Sequence, residues 1–235
     1  YWSVISRVGN QNIIPPLGLT AVPMVVTDIT SAEMIKYASN SFLATKISFI
    51  NEIANICEKV GANVDQVAKG IGLDSRIGSK FLNAGIGWGG SCFGKDLKAI
   101  VSIAKEYDYE TKLLDAAIEV NYQQRQKVIK KLQQALKIIK GRSVGIMGLA
   151  FKPNTDDLRD APALTIIHQL VKMGAKVKVY DPIAMKNCQK QYPNLKITYV
   201  ESIKELAQGS DALILVTEFD EFSYMDLNQI AAVMK

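Results

Sequence analysis

The spacing of apolar residues changes once along this chain, and the change limits the folds available to it. From Thr30 to about residue 140 the apolar residues recur at helical spacing in several stretches, and the last of these predicts one long amphipathic helix from Thr111 to about Lys140. After Gly141, short apolar strands alternate with helices, which predicts βαβ crossovers and a parallel sheet. The sequence therefore predicts an α + α/β chain, in which an all-helical domain is joined by a long helix to a parallel-sheet domain.

Local signals place the other elements. A start signal at Ser31 predicts a helix that Gly61 ends, and Asn63 followed by Gln66 predicts a short helix that reaches the loop at 70–72. A further helix is expected from Asp96 to about residue 107. In the second half, strands are expected at 143–148, 176–180, 196–200 and 212–216, with helices at 161–173 and 202–207. The predicted domains are an irregular leader, or a strand and loop that remain from a preceding domain, at 1–23, a helical domain at 24–125 and the sheet domain at 126–235.

Composition excludes several classes of protein. The 235 residues carry a net charge of +5, with 48% hydrophobic and 22% charged residues, which is an ordinary globular balance. No basic run with interleaved aromatic residues indicates a nucleic-acid partner, and no apolar run is long enough to span a membrane. Cys57, Cys92 and Cys188 are too few and too scattered for a disulfide framework or a metal site, so we expect no metal and a cytoplasmic location.

The stretch GIGWGGSCFGKD, residues 85–96, is the first candidate for chemistry. Its glycines let a ligand approach the backbone closely. Cys92 has a cationic neighbour, Lys95, and a predicted helix start close by, both of which favour a reactive thiolate. The alternative, a small buried hydrophobic residue, is the usual fate of a free cysteine. These observations leave both interpretations open.

Two pairs spaced by four residues surround this candidate. Asp96 lies four residues after Cys92, so a helical turn would place its carboxylate beside the sulfur, where it could orient a water molecule. Helix capping is the simpler role for such an aspartate. Lys36 and Asn40 would share one helix face and could hold a developing oxyanion, or they could lie on a solvated helix edge.

The sheet domain offers a second group of polar residues. Gly145, Gly148 and Ala150 follow a predicted strand with spacing G-x-x-G-x-A, which is a weak match to a dinucleotide-binding loop. An aromatic residue and two cations follow at the carboxyl end of that strand, a combination that suits a base and a phosphate or an ordinary solvated loop. These residues are Phe151, Lys152 and Arg159.

Three separate stretches resemble the UDP-glucose/GDP-mannose dehydrogenase family, and within it the UDP-glucose dehydrogenases. Residues 31–82 resemble the family's central helical domain, and residues 85–96 resemble its nucleophile loop. VGIMGLAFKPNTDDLRDAPA, VKVYDP and TEFDEF resemble its carboxyl-terminal domain. The resemblance runs from about residue 22 to the end, with the motifs in matching order and spacing.

The resemblance implies an NAD-dependent, two-step oxidation of UDP-glucose at C6 to the uronate. It implies that Cys92 captures the intermediate aldehyde as a thiohemiacetal, which is oxidised to a thioester and then hydrolysed. Asp96, Lys36 and Asn40 match the family's water-activating and oxyanion-holding groups. The sheet domain is then a Rossmann-like domain that binds the UDP-sugar rather than NAD.

Further site residues are implied by the same matching positions. Lys95 and Arg159 match residues that touch NAD, and Arg76 matches an arginine that reaches the substrate of a neighbouring subunit in a homodimer formed through the helical domain. Implied substrate contacts are Phe81, Leu82, Asn83, Gly85, Gly87, Gly89, Phe151 and Lys152.

The chain also departs from the family. Gly94 stands where many relatives have proline, and no NAD-binding domain precedes the matched region, so we expect a fragment that does not turn over alone. Residues 1–21 match poorly. Two alternatives remain: a GDP-mannose dehydrogenase, and an inactive nucleotide-sugar-binding or assembly module.

Overall fold

The first half of the chain is helical, as the apolar spacing predicts. A computed structural model describes the backbone of residues 4–6 and all of residues 25–235. Its helical domain contains α1 (Ile29–Val60), α2 (Val64–Gly72), α3 (Phe93–Glu106) and the first half of α4 (Lys112–Leu136). Helix α1 packs against both α3 and α4. The predicted all-helical domain is confirmed.

Helix α1 shows how local signals set its ends. The Asp28 carboxylate accepts a hydrogen bond of 2.9 Å from the Ser31 amide, so the helix begins at Ile29, slightly before the predicted start. Gly61 ends the helix at φ +76°, and its amide donates to the Cys57 carbonyl. This left-handed conformation favours glycine, so the predicted end is correct.

A short strand precedes the helices. Strand β1 (Val4–Ser6) pairs in parallel with β2 (Val25–Thr27). Residues 4–6 fall in the stretch 1–23, for which the sequence leaves open an irregular leader or a strand and loop of a preceding domain, and they form a strand. The remainder of the predicted leader lies outside the described residues.

The second half forms one parallel sheet in the order β5–β4–β3–β6. Strand β3 is central, and all five of its residues are buried because helices cover both faces. The core is built from β3, β4 and α5, with Ile146, Ile167 and Val179 among its fully buried members. The strands are β3 (Ser143–Met147), β4 (Lys176–Tyr180), β5 (Ile197–Tyr199) and β6 (Ala212–Leu215).

Helices connect these strands. The sequence predicts α5 and α7, but it does not predict α6 or the two short helices after β6. Short helices carry too few turns for an apolar period to stand out. The helices of this half are α5 (Pro162–Lys172), α6 (Met185–Gln191), α7 (Ile203–Ala207), α8 (Asp220–Ser223) and α9 (Leu227–Val233).

Helix α4 joins the two domains. Its first half packs on α1, whereas Ile129 and Leu132 in its second half belong to the core of the sheet domain. The helix ends at Leu136, four residues before the predicted end, where Lys137 takes a left-handed φ of +62°. One rigid helix therefore fixes the loop before α3 relative to the loop after β3. Within the described residues, no helix is long and apolar enough to cross a membrane.

Candidate active site

The glycine-rich loop before α3 is attached to α1 and α4 by side-chain amides. The Gly85 amide donates to Asn51 Oδ1 at 2.7 Å, and the Gly85 carbonyl accepts from Gln124 Nε2 at 2.9 Å. Asn51 lies on α1 and is fully buried. Because both partners sit on rigid helices, the start of the loop is fixed in place.

Trp88 anchors the centre of this loop. Its backbone amide donates to Asn121 Oδ1 at 2.7 Å, its carbonyl accepts from Asn121 Nδ2 at 3.0 Å, and its indole donates to Ser48 Oγ at 3.0 Å. A Cβ on Gly87 would lie 2.5 Å from Asn121 Oδ1, and the φ of Gly87 is +106°. Only glycine fits at that position, because the Asn121 amide lies directly against the backbone.

Cys92 is the exposed thiol of the chain, whereas Cys57 and Cys188 are buried. It occupies the position immediately before α3, and its carbonyl accepts the Asp96 amide at 2.8 Å. Its sulfur lies 3.7 Å from the Ser91 hydroxyl oxygen. Cys92 is therefore the residue that directly precedes the first turn of a 14-residue helix, and its side chain makes no capping hydrogen bond there.

The Asp96 carboxylate is bound by a residue of another helix and does not cap α3, the helix on which it lies. Only 3% of Asp96 is exposed, and its Oδ2 accepts a 2.5 Å hydrogen bond from Asn40 Nδ2 on α1. The exposed Lys95 ammonium lies 3.4 Å from Asp96 Oδ1. The capping role considered for Asp96 is wrong, because α3 begins at Phe93 and places Asp96 inside the first turn.

Lys36 lies one turn before Asn40 on α1, and its side chain is exposed. The helical spacing puts both residues on one face, as predicted. In the part of the chain that the structure describes, no hydrogen bond or ion pair joins Lys36 to Cys92 or Asp96. The structure thus joins Asn40 to Asp96, one helical turn after Cys92, while Lys36 lies exposed one turn before Asn40.

The sheet domain contacts the loop directly. The Gly90 amide donates to the Arg159 carbonyl at 2.9 Å, and a Cβ on Gly90 would lie 2.8 Å from the Phe151 ring. The Lys152 ammonium lies 5.3 Å from the centre of the same ring. Phe151 and Lys152, which follow β3, are therefore next to the loop that carries Cys92.

Arg159 is paired with Asp157 through three hydrogen bonds of 2.7 to 3.1 Å. The guanidinium lowers the pKa of the Asp157 carboxyl below its ordinary value. Asp157 in turn raises the pKa of Arg159. The Arg159 backbone contacts the loop that carries Cys92 through the Gly90 amide.

A cavity of about 190 Å³ opens between the two domains. It is mixed in character, with amides, a cation and a carboxylate beside apolar groups, which suits a polar ligand. Its lining includes Asn51, Asn83, Gly85, Gly87, Phe151, Lys152 and Glu218.

The other residues singled out from the sequence are placed differently. Leu82 is buried, and Phe81 has a left-handed φ of +65° with its ring edge-on to Phe93. Arg76 follows α2, is bound to Asp74 and is largely exposed. No hydrogen bond or ion pair within the described residues joins Arg76 to the loop at 85–96. No group of three His, Cys, Asp or Glu side chains in residues 25–235 could hold a metal ion.

Sequence reasoning missed the residues that hold the loop. Asn51, Asn121 and Arg125 are buried and bind its backbone. The sequence carries a signal for two of these residues, because Asn121 and Arg125 are spaced by four residues within the long helix. Polar residues at helical spacing on a face that packs against other elements indicate specific partners.

Two family models match the chain in the regions just described. The UDP-glucose/GDP-mannose dehydrogenase family, central domain, matches residues 30–123, and the family's UDP binding domain matches residues 145–235.

The chain belongs to the UDP-glucose/GDP-mannose dehydrogenase family.

Relatives within this dehydrogenase family are similar over most of the chain. The chain is 50% identical to UDP-glucose 6-dehydrogenase TuaD of Bacillus subtilis, over 91% of this chain and 46% of that protein. A solved UDP-glucose dehydrogenase from Pyrobaculum islandicum has a TM-score of 0.85 at 36% identity, covering 88% of this chain and 48% of the other. A solved GDP-mannose dehydrogenase from Pseudomonas aeruginosa has a TM-score of 0.57 at 30% identity, covering 85% and 48%. The chain spans about half the length of the relatives it matches.

Proposed function

We propose that this chain supplies the nucleophile and the nucleotide-sugar subsite of an NAD-dependent UDP-glucose 6-dehydrogenase. The observation that carries the proposal is the exposed Cys92 at the start of α3, on a loop packed against the UDP-binding domain. Similarity to enzymes named UDP-glucose 6-dehydrogenase supports the substrate.

We assign residues 24–125 to a dimerisation domain and 126–235 to a UDP-sugar domain. We also propose a cytoplasmic location, because a reducing compartment keeps a catalytic thiol free.

In this proposal Cys92 is the nucleophile. Its thiolate adds to the C6 carbonyl of the sugar aldehyde, a C–S bond forms, and the carbonyl oxygen takes the negative charge and then a proton. A covalent thiohemiacetal keeps the aldehyde from leaving before it is oxidised further. The Asn40 amide, through the N–H that Asp96 does not use, and the Lys36 ammonium stabilise that oxygen.

Asp96 acts in hydrolysis. Once the adduct is a thioester, water adds to C6 and its two protons pass to solvent, the C–S bond breaks, the thiolate is released and the uronate carboxylate remains. The carboxylate of Asp96 orients this water, because Asn40 and Lys95 hold it in one position beside Cys92. A buried carboxylate with fixed partners loses little entropy when it positions a water molecule.

The residues around Cys92 fit a dinucleotide. Lys95 and Arg159 are exposed cations, one on α3 and one on the sheet-domain turn that contacts the loop, and a pyrophosphate suits such a pair. NAD, when bound, accepts the hydride in each oxidation. To bind a phosphate, the Arg159 guanidinium must either break its hydrogen bonds to Asp157 or keep some of them while its other N–H groups contact the phosphate.

The UDP-glucose subsite is the cavity between the domains. Phe151 and Lys152 present a ring and a cation there, and Asn83, Gly85, Gly87 and Gly89 form or adjoin the facing loop. Because the loop has little side-chain bulk, a sugar can rest against its backbone. Phe81 and Leu82 support the base of this loop.

A homodimer is part of the same proposal. Phe42, Phe49 and Ile56 are spaced by seven residues on α1 and are 67%, 49% and 51% exposed. This spacing forms one apolar stripe, which a second copy would cover. Arg76 would then serve the partner's substrate. Light scattering should give a dimer for the wild type and a monomer for the double variant Phe42→Asp, Phe49→Asp.

Protection of Cys92 by substrate tests the function. Iodoacetamide should label Cys92, and saturating UDP-glucose should slow that labelling by roughly fivefold or more, because the sugar covers the thiol. Mass spectrometry of the Cys92 peptide gives the rate, with the buried Cys188 as an internal control. If UDP-glucose binds but leaves the labelling rate unchanged, the proposed role of Cys92 is wrong.

Parallel arms separate the alternatives. Stronger binding and protection by GDP-mannose than by UDP-glucose would identify a GDP-mannose dehydrogenase; the lower TM-score to the solved GDP-mannose dehydrogenase favours UDP-glucose. Reduction of NAD, followed by absorbance, distinguishes a dehydrogenase from a module that only binds the nucleotide sugar.

A further inference from the structure

Arg125 connects the loop that carries Cys92 to the sheet domain. This arginine lies on α4 and is 7% exposed. Its Nη2 donates to the Trp88 carbonyl at 2.8 Å and to the Asp160 carbonyl at 3.2 Å. Its Nη1 donates to Asp160 Oδ1 at 2.8 Å and to Thr165 Oγ1 at 3.1 Å. One planar guanidinium therefore binds both sides of the domain junction at once.

The two sides touch along their backbones at the same place. A Cβ on Gly89 would lie 2.4 Å from the Asp160 carbonyl oxygen. Asp160 itself takes a left-handed φ of +49°, a conformation that costs free energy unless its surroundings hold it. The bonds from Arg125 to its carbonyl and carboxylate supply that constraint.

The junction sets the surroundings of the thiol. The turn at 159–162 carries Arg159, whose carbonyl accepts a hydrogen bond of 2.9 Å from the Gly90 amide, two residues before Cys92. Phe151, from the same domain, lies against Gly90. A shift of this turn relative to the loop would move Arg159 relative to Cys92 and would disturb the contact of the loop with the sheet domain.

We propose that Arg125 is a positioning residue, which fixes the separation between Cys92 and the ligand groups of the sheet domain. The inference rests on the proposed function: UDP is held by the sheet domain, and the sugar must reach a thiol on the helical domain. Arg125 touches neither, and it acts through Trp88 and Asp160. Its loss should uncouple UDP binding from coverage of Cys92.

The variant Arg125→Met tests this coupling. Methionine keeps an apolar stem and removes every donor. Asn121 still holds the Trp88 amide and carbonyl, so the loop keeps one anchor. The matched control is Arg142→Met, which removes a 2.9 Å pair with Asp211 away from the junction. The lysine of Arg125→Lys can bond to one side of the junction but not to both at once. This variant should therefore keep part of the wild-type behaviour.

Hydrogen exchange without ligand is the first measurement. In Arg125→Met the Gly90 amide, which bonds across the junction, should exchange roughly tenfold faster than in wild type, while strand β3 stays protected. The control should match wild type at Gly90. Unchanged exchange at Gly90 in Arg125→Met would overturn the proposal, whatever the enzyme's function is.

Ligand binding and thiol protection form the second measurement. Arg125→Met should bind UDP within about threefold of wild type, yet UDP-glucose should lose most of its protection of Cys92 against iodoacetamide. Equal losses of UDP affinity and protection would show a general structural role and overturn the proposal. If UDP-glucose does not protect wild-type Cys92, the proposed function fails, and the exchange result still decides whether Arg125 holds the junction.

A second variant covers the case in which Arg125→Met does not fold. Asp160→Gly removes the carboxylate acceptor and tolerates the left-handed backbone at this position. It should show the same separation of UDP affinity from Cys92 protection. Wild-type protection in a folded Asp160→Gly would contradict the proposal.

Discussion

Asn40 and Asp96 share a hydrogen bond of 2.5 Å between Nδ2 and Oδ2, although they lie on different helices and 56 residues apart. Both side chains are buried, and Lys95 brings a cation to the other oxygen of the carboxylate. The pair therefore fastens α1 to the first turn of α3, directly behind Cys92. A buried carboxylate needs such partners, since its desolvation is otherwise unfavourable.

Replacing Asn40 by alanine should destabilise the protein. The Asp96 carboxylate would lose its hydrogen-bond donor while it stays buried, which costs about 2 kcal/mol of the free energy of unfolding. Urea unfolding followed by circular dichroism measures the change. Ser39→Ala is the control, because Ser39 is exposed and its hydroxyl only returns to the Ile35 carbonyl. Equal stabilities for the two variants would show that the Asn40–Asp96 bond contributes nothing measurable.

Two glycines of the same loop should respond differently to alanine. A Cβ on Gly89 would press on the Asp160 carbonyl at 2.4 Å and on Pro162 at 3.0 Å, whereas a Cβ on Gly85 meets nothing within 4 Å. Gly89→Ala should lower the free energy of unfolding by about 2 kcal/mol, and Gly85→Ala should change it by less than about 0.5 kcal/mol. Chemical denaturation of both variants compares the effects. A fully stable Gly89→Ala would mean that the loop and the turn do not touch.

The pair between Asp157 and Arg159 should make stability depend on acid pH. Arg159 lowers the pKa of Asp157 below its ordinary value of 3.8, so the pair's contribution is complete well above that value. The stabilisation by this pair is lost progressively as the pH falls below about 4 and then through the lower pKa of Asp157 in the folded state. The reason is that the unfolded chain binds the proton more readily.

Asp157→Asn removes this contribution. The stability difference from wild type should be largest near neutral pH and should shrink steadily towards about pH 2. Denaturation at a series of pH values checks this. Asp156→Asn, at an exposed neighbour, should follow the wild-type profile. A stability difference that does not vary with pH would contradict the assignment.

Lys152→Met should weaken binding of UDP without affecting the fold. The ammonium is exposed, lines the interdomain cavity and lies over the Phe151 ring. Loss of one cation near a phosphate should raise the dissociation constant by roughly tenfold at low salt, and by less at high salt, because the interaction is screened. Calorimetric titration with UDP measures this, and Lys190→Met on α6 is the control. Equal affinities for both variants would place the phosphates elsewhere.

Several features followed from short-range patterns. The positions of α1, α2 and the four strands of the large sheet, the ending of α1 at Gly61 and the cap at Asn63 all depend on residues within a turn or two of each other. The placement of Cys92 and Asp96 in one helical turn followed from their spacing for the same reason. Short elements such as α6, α8 and α9 were missed because they carry too little periodicity.

Residue spacing and residue type are enough to predict the long helices, the four strands of the large sheet, the switch between the two and the residues that could react, since these depend on neighbours along the chain. The partners of those residues are set by three-dimensional packing. Asp96 bonds Asn40 rather than its own helix end, and Arg125 bonds Trp88 and Asp160, 37 and 35 residues away. Such pairs form because packing buries polar groups together, and a buried donor or acceptor must then find a partner wherever the fold has placed one.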